Sequence, residues 1–341
     1  MKKRFFVLFL LFSLFIAGCQ TGQEANADFN TFCMETFRSY AASDSLTLNY
    51  TLMSPKKYGI TDLPDGFSSF SLHDLKQMQT STENTLARLR SFASKNLSRE
   101  DRLLYDTLDA SLTLSQEDIR MLAHSYSFDP SSGIQAQLPV LLCEFILTDK
   151  QDYDQYFSLL KSIPAYFNSL TALEKIKQKK GTLPAATTIR HTISQCQEFI
   201  NSSGTDAIEK SFEKSINSAS FFSASEKKEQ LEKHRKLLSH SLFPAYKNLI
   251  TELNKLLPFA PDDGALSAYA GGSAYYEYLV KEKTGTISSP DSLFQMLTKK
   301  LNESEQKLAP LAATSPSSFL TCEKHTSKYE EPKSILTHLK K

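Results

Sequence analysis

Apolar side chains recur along this chain at the spacing of a helix. Phe29, Phe32, Cys33, Phe37 and Tyr40 stand three, one, four and three residues apart, which puts all five on one helical face. Start and stop signals then cut the periodic run into segments. Ser71 with Asp74, Ser98 with Asp101 and Thr148 with Gln151 each set an N-cap hydroxyl three residues ahead of an answering side chain, predicting helices over 72–95, 99–125 and 149–161. Pro139 and Pro164 interrupt or open helical runs, and Gly181 and Gly204 stand where helices should stop. Further helices are predicted over 134–147, 163–180, 187–202 and 206–219. The segment 224–257 should be bent or broken at Pro244. Another helix is predicted over 270–283, and Ser289-Pro290 opens a last one reaching about residue 311. Only 46–53, Leu-Thr-Leu-Asn-Tyr-Thr-Leu-Met, alternates as a strand does, and an extended loop explains it equally well. The fold class expected is all-α, a multi-helix array. Over 28–341 no Pro- or Gly-rich linker and no fixed-period repeat divides it, so one continuous body is expected.

The amino terminus breaks this pattern. Lys2, Lys3 and Arg4 precede an apolar run over 5–16, then Ala17, Gly18 and Cys19. That order is a secretory signal peptide over 1–18. The run is too short to cross a hydrocarbon core of roughly 30 Å, and polar residues follow at once. Ile16-Ala17-Gly18-Cys19 has the form of a bacterial lipobox, in which the Cys19 thiol carries a diacylglyceryl group; the bland alternative is a secreted protein with a chance cysteine near its cleavage site. Two acyl chains anchor stably where one binds only marginally. The expected location is therefore the outer face of the cell membrane, with membrane lipid as partner through Cys19 and a flexible tether over 19–27.

Charge narrows the partners. Taking the three basic residues before Cys19 from the 39 in the chain leaves 36 against 38 acidic ones, a net charge of −2, which gives no reason to expect a nucleic-acid partner. Apolar residues at 40% are enough for a sizeable core. Beyond Cys19 the cysteines are Cys33, Cys143, Cys196 and Cys322, widely spaced with no Cys-x-x-Cys pair. Buried free thiols are the expectation for the first three, with one long-range disulfide as the alternative.

Local catalytic motifs are absent. A zincin helix needs His-Glu with a second histidine four residues after the first, yet none of the seven histidines is followed by Glu. His234 and His240, six apart, point to different faces and read as surface residues. His191 and Cys196 lie five apart on one predicted helix, some 140° from each other, which disfavours a nucleophile pair. No Gly-x-Ser-x-Gly elbow, Walker loop or dinucleotide fingerprint occurs. Asp149, Asp152, Asp154, Glu226, Glu229 and Glu232 fall in first turns or on polar helix faces.

One stretch, Tyr269 followed by Ala270, Gly271, Gly272, Ser273, Ala274, Tyr275, Tyr276, Glu277 and Tyr278, sets a glycine pair before a tyrosine-rich helix. Glycine permits close backbone approach and tyrosine hydroxyls can orient a substrate. Its plainer reading is a helix start whose tyrosines pack on the core.

Taken together, Asn49-Tyr50 with Tyr58-Gly59-Ile60, the run Gly133 to Pro139 (Gly-Ile-Gln-Ala-Gln-Leu-Pro), residues 153–167, and Gly272-Ser273-Ala274-Tyr275-Tyr276 with Thr284-Gly285 resemble the bacterial family named domain of unknown function 885, whose members are often exported as lipoproteins. The resemblance implies a helical zinc-peptidase relative whose metal site uses a His-Glu pair followed by Pro-Gly-His, beyond the region matched here. It implies that this chain is the amino-terminal, non-catalytic half, with no metal ligand, no cofactor of its own, and zinc expected only in the complete family fold. Ile335, Leu336 and Leu339 form an apolar stripe with no stop signal after it, as in a helix continuing past Lys341. The resemblance also places Tyr275 and Tyr276 near a substrate cleft. The expected function is a membrane-anchored lipoprotein inactive as a peptidase alone. The alternative is a non-catalytic module binding peptides or a partner, such as a complementary carboxy-terminal fragment.

Overall fold

A computed structural model describes residues 24–93, 97–201, 204–262 and 264–314. Among them the regular structure is helical, with no strand. Cys19 and Cys322 lie outside the described residues, as do most of the signal and tether region and 315–341. The first helix among the described residues, α1 (Glu24–Ala41), begins within the stretch 19–27 expected to be a tether. Contacts divide the chain into two units, 1–276 and 277–341, where one body was expected.

In the first unit, α1 packs with α2 (Ser45–Thr51), α3 (Leu72–Arg90) and α4 (Arg99–Met121). Phe29, Phe32, Phe37, Leu86, Leu89 and Leu108 form this apolar cluster, the stripe that the spacing predicted on α1. The Ser71–Asp74 pair closes a reciprocal capping box, satisfying two amide donors that a helix start leaves open. Ser98 accepts from the Asp101 amide in the same way.

Where a strand was predicted, α2 forms instead. Asp44 accepts from the amides of Leu46 and Thr47 and so starts a helix. Leu46 and Leu48, two residues apart on a helix, face directions about 200° apart. The short helix lies between two cores, Leu46 facing the larger and Leu48 the smaller. Burial on both sides mimics the alternation of a strand.

The larger core gathers around α6 (Lys150–Lys180), packed by α5 (Ile134–Cys143), α7 (Ala186–Asn201), α8 (Gly204–Ser218), α9 (Ala224–Leu237) and α10 (Phe243–Leu256). Asp149 is the N-cap of α6 and its box partner is Asp152, one residue later than the Thr148–Gln151 pair predicted; Thr148 donates to Asp152 as well. α6 also runs through Pro164, which the sequence reading took as a boundary. An interior proline costs about 3 kcal/mol locally. Tyr156, Phe157, Leu159, Leu160 and Ile163 before it, and Phe167 and Leu170 after it, are all buried, so packing on both flanks outweighs that loss.

Pro244 is accommodated differently. A π-helical turn, Leu238–Leu242, joins α9 to α10, and the Phe243 amide reaches back five residues to the Leu238 carbonyl. The wider turn fits a residue that lacks its own donor, so the segment neither breaks nor ends there.

In α11 (Gly272–Thr284) the chain passes from the first unit to the second. The second unit holds α12 (Pro290–Thr314), where Phe294, Leu297, Leu301, Leu308 and Leu311 are exposed at spacings of three, four, seven and three. That is the seam of a helix that packs against another helix. No described helix is long and apolar enough to cross a membrane.

Candidate functional site

The tyrosine segment begins with a turn that only glycine permits. Gly271 has φ +80°, and a Cβ there would stand 3.0 Å from the His124 Nε2. At Gly272 a Cβ would fall 1.6 Å from the Leu266 carbonyl oxygen. The close approach that the glycine pair predicted is real, and it is to the chain itself.

His124 completes the turn. Its Nε2 donates to the Ala270 carbonyl at 2.9 Å, which fixes the tautomer, since a carbonyl can only accept. The imidazole stacks on Tyr275, with ring centroids 5.5 Å apart and planes 23° off parallel. Tyr269 donates to the Leu183 carbonyl at 2.7 Å, tying the same segment to the loop after α6. Tyr275 is half-buried and Tyr276 is 51% exposed. Of the two residues singled out, one is held against a histidine and the other faces solvent.

The loop that carries His124 is held from beneath. Glu174 and Lys177, one helical turn apart on α6, form an ion pair at 2.6 Å with side chains 0% and 4% exposed. The Lys177 ammonium also donates to the Ser125 carbonyl, and the Ser127 amide donates to Glu174 at 3.1 Å. Thr192 donates to the Phe128 carbonyl at 2.8 Å. The buried pair thus fixes the backbone on either side of Tyr126. Through His124 it fixes the platform on which Tyr275 lies.

His124 was not predicted as part of this site. It lies 146 residues from Ala270 in sequence, and no local motif marks it. Several family-matching residues are accounted for by packing. Asn49 exchanges two hydrogen bonds with the Ile146 backbone, at 2.8 and 2.9 Å. The Gln135 side chain, on a residue 3% exposed, donates to the carbonyls of Phe128 and Asp129, and the Gln135 backbone carbonyl accepts from the Tyr246 hydroxyl at 2.6 Å. A Cβ at Gly133 would meet the Asp129 carbonyl at 2.5 Å.

His234 corrects the expectation of a surface residue. It is 1% exposed, stacked on Phe212 at 4.1 Å and 9°, with Nε2 3.2 Å from the Tyr156 hydroxyl. Burial, and secondarily the Arg235 cation, lowers its pKa to about 4. His240 is exposed. His191 is exposed while Cys196 is buried, in keeping with their predicted divergence. Cys33, Cys143 and Cys196 are free thiols, and burial pushes those of Cys33 and Cys196 up to about 12. Such thiols are poor nucleophiles.

Among the described residues no three His, Cys, Asp or Glu side chains gather as a metal-holding group. The 341-residue sequence contains neither His-Glu nor Pro-Gly-His.

Comparison with known proteins agrees with the helical reading. No curated protein matches the chain. Among solved structures, a crystal structure described as that of "the putative lipoprotein from Colwellia psychrerythraea" matches with a TM-score of 0.69 at 15% identity, over 91% of this chain and 55% of that one. At that identity the likeness is one of fold, and this chain spans about half the length of the matched structure. A family model described as "Bacterial protein of unknown function (DUF885)" matches residues 55–340. The chain belongs to the DUF885 family of bacterial proteins.

Proposed function

We propose that this protein is an exported lipoprotein, held at the outer face of the cell membrane through Cys19, whose helical body binds peptides at the Tyr275–Tyr276 surface and does not cut them by itself. The zinc-holding residues of the peptidase-like architecture would come from sequence outside these 341 residues. The observation that carries the binding surface is the Tyr275 ring, stacked on His124 and braced through the buried Glu174–Lys177 pair. A pre-positioned ring contacts a ligand without a large loss of side-chain freedom, and the exposed Tyr276 beside it adds an apolar body with a hydroxyl tip. The same reading gives the exposed stripe on α12 a partner, a complementary carboxy-terminal fragment packing helix on helix.

Titration of extended peptides against wild type and a Tyr275→Ala, Tyr276→Ala variant tests the binding surface. Loss of two aromatic contacts should weaken binding by at least about tenfold. Equal affinity in both proteins, or no binding to either, would remove Tyr275 and Tyr276 from the account.

A further inference from the structure

A cavity of about 240 Å³ opens on the first unit, away from the tyrosine segment in sequence, between the end of α5, the loop after it, α6 and α8. Its floor is aromatic. Phe145, Tyr156 and Phe212 line it, with Tyr156 and Phe212 rings 5.5 Å apart and 20° off parallel. These rings are fixed from behind, because Phe212 lies flat on His234 and the Tyr156 hydroxyl meets the His234 Nε2. An imidazole with its pKa held near 4 is neutral at ordinary pH, so the floor carries no charge.

The rim is polar, but most of its hydroxyls are already engaged. Ser211 donates to the Cys143 carbonyl at 2.7 Å, Ser215 pairs with the Tyr153 hydroxyl at 2.9 Å, and Ser218 donates to the Lys214 carbonyl at 2.9 Å. Lys214 differs. The residue lines the cavity, is exposed, and has no ion-pair partner among the described residues. Cys143 lines the same space.

We propose that this cavity binds a small apolar carboxylate, with a single aromatic ring or branched aliphatic chain against Tyr156 and Phe212 and its carboxylate on the Lys214 ammonium. The size suits such a ligand, since a dry apolar cavity of about 150 Å³ already takes up benzene. The space is smaller than the roughly 300–1,000 Å³ of drug-sized sites, which excludes a long acyl chain or a nucleotide. Either a free acid or the carboxyl end of a peptide with an apolar last residue supplies this chemistry. The site does not depend on the peptide surface proposed at Tyr275 and Tyr276.

The test uses the full chain with phenylacetate, its neutral analogue phenylacetamide, and glycylphenylalanine with and without a carboxy-terminal amide. Binding is read by calorimetry. Occupancy is read as the rate at which the Cys143 peptide is alkylated by N-ethylmaleimide, followed by mass spectrometry. Phenylacetate or glycylphenylalanine should slow alkylation at Cys143, and the tighter of the two identifies the source. Lys214→Ala, at an exposed position that leaves the core intact, should weaken the carboxylates by about tenfold, the worth of one charge-assisted hydrogen bond, and leave the neutral analogues unchanged. Failure of both carboxylates to bind or to protect Cys143 would overturn the proposal. Carboxylate binding unaffected by Lys214→Ala would overturn it too.

Discussion

Lys177→Met is expected to destabilise the protein by about 3–5 kcal/mol, because it leaves the Glu174 carboxylate buried with no countercharge. The attraction within a buried pair roughly offsets the desolvation of its two members, so the loss comes from breaking it on one side only. Glu174→Gln combined with Lys177→Met should therefore recover most of the stability. The amide keeps an acceptor for the Ser127 N–H, and no buried charge is left. Neither variant restores the donor to the Ser125 carbonyl, so both should loosen the loop under His124. Urea unfolding of the three proteins at neutral pH measures this directly. A single variant that loses less than about 1 kcal/mol would show that the pair is solvated in solution and braces nothing.

His234 sets the second large effect, on the acid side. In the folded protein its pKa is held down to about 4, against 6.5 for a free imidazole. The unfolded chain thus binds a proton that the folded chain refuses. Stability is full above pH 6.5 and falls as pH drops from 6.5 toward 4, below which this contribution levels off. Each unit of difference corresponds to about 1.4 kcal/mol, so the loss across this window should be on the order of 3 kcal/mol. Glu226 acts in a lower window, since hydrogen bonding to Lys150 and to Ser223 lowers its pKa to about 2 from 4.5. Its contribution is present above pH 4.5 and is lost toward pH 2. His234→Phe keeps a ring on Phe212 and removes the titration, so it should flatten stability between pH 6.5 and 4. An unchanged slope there would assign the acid sensitivity to other groups.

These two groups show what the sequence concealed and why. Capping signals are local, and Ser71 with Asp74 announced its helix correctly because donor and acceptor are three residues apart. Pro164 misled because its local penalty is outweighed by rings and leucines whose partners lie on other helices. The alternation of 46–53 misled for a related reason: Leu46 and Leu48 face two separate cores, and two-sided burial of a short helix copies the period of a strand. His234 read as a surface residue because its spacing from His240 sets the two on different helix faces, whereas its surroundings, Phe212 and Tyr156, come from α8 and α6.

The candidate site was legible in one half only. Gly271, Gly272, Tyr275 and Tyr276 fall within six consecutive residues and stand out by composition. His124, Glu174 and Lys177 support them from two other elements and carry no signature, since a lone histidine and a Glu–Lys pair three apart are commonplace on helices. Burial changes their meaning, and burial is a tertiary fact.

The central claim is that this chain recognises peptides and leaves them intact. It is tested most directly by incubating the purified chain with the extended peptides it binds, with added zinc or with a chelator, and following them by mass spectrometry. The account predicts intact peptide in every sample containing this chain alone, with chelator-sensitive cleavage appearing only when a fragment bearing the His-Glu and Pro-Gly-His motifs is added. Chelator-sensitive cleavage by the chain alone would contradict it.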